Sequence, residues 1–197
     1  MHSDNKSLKA YSTRRDFART PEPKGKKGAT GSRRFVIQKH EATHLHYDFR
    51  LAIDGVLVSW AVPKGPSLNP SIKRLAVMTE DHPLSYANFE GIIPEGQYGA
   101  GTVMVWDSGT YRNIKRKNGK VVSMNECLKN GQIEVFLKGK KLQGGFALIR
   151  TKLGWLLIKM RDEYARAKEI SISSDNTSAK TGRTMAQIEK DAHHFTK

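Results

Sequence analysis

The chain has 197 residues, 38% of them hydrophobic, and a formal net charge of +15. That length fits one domain with a tail, and the excess of Lys and Arg points to an anionic partner, nucleic acid before anionic membrane. No apolar run approaches the roughly 20 residues of a membrane span, and the start Met1-His2-Ser3-Asp4-Asn5-Lys6 lacks the apolar core of a secretory signal. Cys127 stands alone, which excludes an internal disulfide and a cysteine-based zinc site and makes a reducing cytoplasm the expected location.

Residues 1–33 read as a basic arm. Residues 1–34 hold ten Lys/Arg against three Asp/Glu, with Thr20-Pro21-Glu22-Pro23 and Lys24-Gly25-Lys26-Lys27-Gly28 opposing regular structure. By composition alone this is either a solubilising tail or a segment with a task.

Residues 34–164 read as short strands and turns. Arg34–Lys39 is the first candidate strand and Leu45–Ile53 the second. Asp54-Gly55 then separates the second from Val56–Val62, a strong hairpin signal. Lys73–Thr79, Gly101–Trp106, Gln132–Leu137, Gly145–Arg150 and Trp155–Met160 bring the total to about eight. No helical pattern of 10–15 residues alternates with them, so an all-β, mainly antiparallel barrel is expected. Residues 165–197 read as a polar, Ser-rich tail or linker. It carries a short helix over Met185–Asp191, with Thr184 and Gln187 as a capping box.

The run His44-Leu45-His46-Tyr47-Asp48-Phe49-Arg50-Leu51 carries the chemistry. Leu45, Tyr47, Phe49 and Leu51 mark one buried face, so His46, Asp48 and Arg50 share the other. His46 and Asp48, ~7 Å apart along the strand, are expected to converge on a metal ion. His40 joins them from the preceding turn. Two imidazoles and a carboxylate suit Mn²⁺, Zn²⁺ or Fe²⁺ and leave room for water and substrate. Arg50 adds a fixed cation suited to phosphate, with Lys64 and Arg74 able to extend the same field. His44 is expected to be a structural residue or one that supports the ligands from outside. His82, at a strand end in Glu80-Asp81-His82-Pro83, suits an acid, a phosphate donor or a ligand. Gly91 to Gly101 resembles a phosphate-cradling loop, but it lacks Gly-Lys-Ser/Thr and reads as tight turns. Position 52 is Ala52, so Asp54-Gly55 is not the lysine-bearing motif of a nucleotidyltransferase.

Taken in order, these segments resemble the phosphoesterase domain of bacterial DNA ligase D. The resemblance runs from about Arg15 to Met160. It is carried by Arg15-Asp16-Phe17 with Thr20-Pro21-Glu22-Pro23, by Phe35 to His40, by His44 to Leu51 and by Val62-Pro63-Lys64-Gly65-Pro66-Ser67. Glu80 to Leu84 and Ile93-Pro94-Glu95-Gly96 with Tyr98-Gly99-Ala100-Gly101 complete it. The resemblance implies a small β-barrel, a Mn²⁺-dependent 3′-phosphodiesterase and 3′-phosphomonoesterase, with Zn²⁺ or Co²⁺ as alternative ions. Its substrates would be 3′ ends of DNA or RNA/DNA primer–templates, trimmed to a 3′-OH. It implies His40, His46 and Asp48 as metal ligands and Arg50 and His82 on the scissile phosphate. Lys64, Arg74 and Tyr86 would line the site, and Arg15, Asp16, Glu22, Gln38 and Glu80 would bind substrate or support it. The arm would then fold over the site. The family domain is usually fused to ligase and polymerase modules, and this chain has neither, so it is expected to be a free-standing version working beside separate ligase and polymerase proteins or a piece excised from a larger ligase; a monomer with no membrane partner is expected.

The expected function is therefore metal-dependent healing of 3′ ends in DNA repair. A nucleic-acid-binding barrel without catalysis would show stacking aromatics on its polar face, where this chain shows His, Asp and Arg. A small-molecule hydrolase or oxygenase has no use for so wide a positive field.

Overall fold

A computed structural model describes residues 8–167 and 176–194. The parts of the arm and tail that fall on residues 1–7, 168–175 and 195–197 lie outside the described residues. Strands β1 (Arg34–Glu41), β2 (Leu45–Ile53) and β3 (Val56–Val62) form a meander. Asp54 (φ 49°) and Gly55 (φ 82°) join β2 to β3 with both central residues at positive φ, the two-residue turn that matches strand twist. β4 (Lys73–Met78) follows β3 in the sheet. The later strands are β7 (Gly101–Asn113), β10 (Gln132–Gly139), β11 (Gln143–Thr151) and β12 (Gly154–Lys159). The hydrogen-bonded order β1-β2-β3-β4-β12-β11-β10-β7 returns to β1 through the antiparallel β1–β7 ladder, closing an eight-stranded barrel. Closure leaves these strands no bare edge.

Alternation decides which side chains fill the barrel. Phe35 and Ile37, Tyr47, Phe49 and Leu51, Val58, Trp60 and Val62, Leu137, Leu148 and Trp155 form one buried cluster. The opposite side of β1, β2, β3 and β7 is also covered. Val36, Ala52, Leu57, Val103 and Val105 pack there against Tyr11, Tyr86, Phe89 and Ile93. The sequence suggests a single buried face on β2. In the structure Asp48 and Arg50 are buried as well, and Leu45, at the strand end, is the exposed one.

The second layer comes from short elements below the reach of periodicity. The arm contributes α1 (Lys9–Thr13), and the link after β4 contributes β5 (His82–Pro83), a 3₁₀ turn over Leu84–Asn88 and β6 (Gly91–Ile93). At the far side, β8 (Arg116–Lys117) and β9 (Lys120–Val121) form a small separate ribbon. Helix α2 (Met124–Asn130) begins where Ser123 accepts from Glu126 N–H and stops at Gly131 (φ 74°). Its Ser-x-x-Glu start and glycine stop were present in the sequence, on a helix too short to show a pattern.

Residues 176–194 are docked on the barrel. Helix α3 (Met185–His194) starts at the expected capping box: Thr184 N–H donates to Gln187 Oε1 at 2.9 Å, and Gln187 N–H to Thr184 Oγ1 at 3.3 Å. Met185 and Ile188 enter the main core. The β1–β7 register shifts at Ile37/Gln38, and Val105 beside the shift is free to bond elsewhere. Its N–H donates to the Glu90 carboxylate and its C=O accepts from Ala179 N–H. Glu90 also accepts from Ser178, Thr181 and Arg183, which holds its carboxyl below the usual range against the upward push of burial.

This docking sets an expectation. Ile188→Ala should cost about 2–5 kcal/mol, the range for truncating a buried Leu or Ile, while Glu189→Ala on the exposed side should stay within about 0.5 kcal/mol. Urea denaturation measures both. Equal midpoints for the two variants would mean that α3 adds nothing to the barrel.

Candidate metal centre

The β1–β2 ladder assembles the centre. It sets His40 opposite His46, Gln38 opposite Asp48 and Val36 opposite Arg50, so these side chains share the outer face. His40 is thus part of a paired strand, where the sequence suggested the preceding turn, because β1 continues to Glu41. One ligand atom from each of His40, His46 and Asp48 lies within 4.8 Å of the others. Asp48 Oδ2 is 3.7 Å from both His40 Nδ1 and His46 Nε2. Donors about 2.1 Å from one ion in tetrahedral array stand roughly 3.4 Å apart, so small side-chain movements suffice to bind.

Backbone carbonyls orient both rings. His40 Nε2–H donates to Gly99 C=O and His46 Nδ1–H to His44 C=O, each at 2.9 Å. A carbonyl only accepts, so the lone pairs of His40 Nδ1 and His46 Nε2 are turned to Asp48, as ligation requires. Burial alone would raise the Asp48 carboxyl. The Arg50 guanidinium beside it holds it well below the usual carboxylate range. It is therefore ionised and ready for a cation.

Arg50 is the hub beside the triad. It donates from Nη2 to Asp48 Oδ2 (3.0 Å), from Nε to Gln38 Oε1 (2.7 Å) and from Nη1 to Ser59 Oγ (2.9 Å). Gln38 in turn donates to Tyr86 C=O and Phe89 C=O, tying the 3₁₀ turn to the sheet. His82 Nδ1 lies 2.9 Å from both Arg50 Nη1 and Glu80 C=O. With a proton on Nδ1 it donates to the Glu80 carbonyl, and with the proton on Nε2 the Nδ1 lone pair accepts from Arg50. Burial, Arg50 and Arg15 together lower His82 well below the ordinary imidazole range, so it is neutral at pH 7.

The arm lies over this network. Arg15 donates from Nε to Glu22 (2.8 Å) and from Nη1 to Glu80, and its Nη2 is 3.4 Å from His82 Nε2. Tyr86 donates its hydroxyl to Glu22 at 2.9 Å. Burial, then Glu22, pushes that phenol well above its usual range. The Tyr11 ring packs edge-on against His82 and Tyr86. Arg15, Glu22, Gln38, Arg50, Glu80, His82 and Tyr86 thus form one connected set with the triad.

Three further candidates sit on other segments. Asp16 is exposed and accepts from Ala18 N–H within its own turn. Lys64 is exposed just beyond β3, at the barrel end where Val62 pairs with Tyr47. Arg74 lies opposite Leu157 in the β12–β4 ladder and shares the parity of buried Ala76, which places it on the inward face, away from Asp48. Ser59, Arg14 and the Gly99 carbonyl were missed. Ser59 left a signal, as the lone polar residue in Val56-Leu57-Val58-Ser59-Trp60. Arg14, which donates to Glu80 (2.7 Å) and Tyr98 (2.9 Å), and Gly99 left none.

A model of the DNA ligase D 3′-phosphoesterase domain family matches residues 38–150. The chain is 50% identical over 171 residues to the multifunctional non-homologous end joining protein LigD of Pseudomonas aeruginosa, which covers 83% of this chain and 20% of that protein. It is 48% identical over 159 residues to the multifunctional non-homologous end joining DNA repair protein LigD of Mycobacterium tuberculosis, with 79% and 20% covered. For the LigD of Mycolicibacterium smegmatis the identity is 47% over 159 residues. The chain spans about a fifth of the length of these relatives.

The geometry predicts where a divalent ion binds. In calorimetric titration with Mn²⁺, Asp48→Asn should weaken binding at least about 100-fold, more than loss of an outlying partner costs. Glu22→Gln, whose partners are Arg15, Thr20 and Tyr86, should change it by less than about tenfold. Unaltered affinity in Asp48→Asn would remove the triad as the seat of the ion.

Proposed function

The chain belongs to the DNA ligase D 3′-phosphoesterase domain family, and on that premise we propose that it is a metal-dependent hydrolase that heals 3′ ends. It removes 3′-ribonucleosides and 3′-phosphates from DNA or RNA/DNA primer–templates and leaves a 3′-OH. One observation carries the reading: the ligand triad His40, His46 and Asp48 directly abuts the buried Arg50 guanidinium, with Asp48 Oδ2 common to both. Burying so many ionisable groups costs several kcal/mol per ion before pairing. A barrel that merely binds nucleic acid has no need to meet that cost.

Mn²⁺ fits the donor set, and when bound it supplies Lewis-acid polarisation of a phosphoryl oxygen and a water of lowered pKa. Arg50 stabilises charge that builds on the phosphoryl oxygens. Its orientation is set by Gln38, Ser59 and Asp48, so it is preorganised before substrate arrives. His82, being neutral, has one lone-pair nitrogen, so it accepts from Arg50 or from Arg15 but not from both, and it is not a resting proton donor. Arg15, held by Glu22 and Glu80, adds a second guanidinium at His82. Tyr86 supports the set through Glu22. Lys64 on the rim meets the substrate backbone. Asp16 supports the arm through its own turn, and Arg74 supports the end of the barrel.

The charge of +15 suits a polyanion. No helix among the described residues is long and apolar enough to cross a membrane. The reading includes action as a monomer in the cytoplasm, beside ligase and polymerase activities that complete the repair.

The test is a labelled primer–template with a single 3′-ribonucleotide, incubated with and without Mn²⁺. The expected result is loss of the nucleoside and then of the phosphate, only with the ion. No product in saturating Mn²⁺ would refute the reading. Arg50→Lys should lose turnover about as severely as Arg50→Ala, roughly 10²–10³-fold for one transition-state donor. Lysine cannot reach Asp48, Gln38 and Ser59 together as the planar fork does. Single-turnover rates, with metal content checked, decide this, and a near-wild-type Arg50→Lys would reduce Arg50 to general charge.

A further inference from the structure

We propose that Tyr98, anchored by Arg14, is a nucleobase subsite that stacks on the terminal base of the 3′ end being trimmed. The assignment rests on the 3′-end reading above and adds a substrate contact to it. Tyr98 is 50% exposed, whereas Tyr11, Tyr47, Tyr86 and Tyr111 are all buried. An exposed ring on a loop is ordinary; an exposed ring that is held in place beside a metal centre is not.

Two turns hold the loop. Gln97 N–H donates to Pro94 C=O and Ala100 N–H to Gln97 C=O, with Gly96 (φ 78°) and Gly99 (φ 79°) supplying the left-handed residues. The next residue, Gly99, gives its carbonyl to His40 Nε2. The ring is therefore one residue from the group that orients a metal ligand. From the other side Arg14 Nη1 donates to the Tyr98 hydroxyl at 2.9 Å. The guanidinium carbons of Arg14 and Arg15 lie 4.8 and 5.6 Å from the ring centroid. Arg14 itself is fixed by Glu80, the carboxylate that also holds Arg15.

Tyr98 is thus hydrogen-bonded to the arm, one residue from the carbonyl that orients His40, and half exposed to solvent. A flat π-face, immobilised before substrate arrives and flanked by guanidinium groups, is the chemistry that stacks on a base of any sequence. A 3′-ribonucleoside end offers such a base beyond the scissile phosphate, and a bare 3′-phosphate end does not. The subsite would therefore separate two kinds of end that share one reaction centre.

The experiment compares wild type, Tyr98→Phe and Tyr98→Ala on three primer–templates in Mn²⁺: a 3′-ribonucleoside end, the same end with its base removed, and a 3′-phosphate end. Metal content is measured for each protein. Stacking on one base corresponds to roughly 5- to 150-fold. The ratio of 3′-ribonucleoside to 3′-phosphate removal should fall by that amount in Tyr98→Ala and by less than about threefold in Tyr98→Phe. On the base-free end Tyr98→Ala should match wild type, because there is no base to lose. A uniform loss on all three ends, or a loss of bound Mn²⁺, would make Tyr98 a support for His40 and overturn the subsite. An unchanged ratio with active wild type would overturn the subsite alone. Wild type inactive on every end would overturn the 3′-end reading and the subsite with it.

Discussion

A guanidinium inside a protein must pair its N–H groups or leave a costly charge unsatisfied, and that demand organises this molecule around Arg50. Its donors reach Asp48 on its own strand, Gln38 on one neighbouring strand, Ser59 on the other, and His82 on the connector that follows. Four separate segments are thereby brought to one point. The same contacts keep Asp48 ionised and correctly placed for a cation. Remove Arg50 and Asp48 is left as a buried carboxylate beside two imidazoles, while His82 and Gln38 lose their partner.

The barrel is what makes this hub rigid. Its interior is filled by the inward residues of every strand, so the outer face of β1, β2 and β3 is free to hold polar chemistry on a stiff support. The arm, the 3₁₀ turn and the Glu90-anchored C-terminal segment then close around the outside. Each is tied by charged or polar contacts: Arg15 to Glu22 and Glu80, Gln38 to the turn, Arg183 to Glu90. The layering has a functional consequence. On the proposed reading, the groups that would meet a phosphate are buried and oriented in advance, while Tyr98 and Lys64 stay exposed at the edge.

Much of this was legible without coordinates. The strand boundaries of β2 and β3 follow from alternation and from Asp54-Gly55, and the capping box at Thr184 and Gln187 locates the start of α3. Of the triad, His46 and Asp48 were readable as neighbours on one strand face, whereas His40 was expected from the preceding turn and only the extension of β1 to Glu41 sets it opposite His46. The N-terminal arm was ambiguous by composition alone. Its Lys and Arg content reads equally as a solvated tail, and only the contacts of Arg15, Glu22 and Tyr11 distinguish the two.

The sequence by itself determined the barrel's strands, its first hairpin and the residue types of the candidate metal centre, because a two-residue period and a turn dipeptide are local properties. Tertiary structure alone decided which side of β4 turns inward. Period two says that Lys73, Arg74, Leu75 and Ala76 alternate, but only the ladder to β12 sends Arg74 into the barrel and away from Asp48. It also decided that both faces of β2 are buried, that Ser59 and the Gly99 carbonyl complete the site, and that residues 176–194 pack on the barrel through Glu90 and Ile188. Those contacts join residues far apart in the chain, and their energies depend on closure, which no window of the sequence contains.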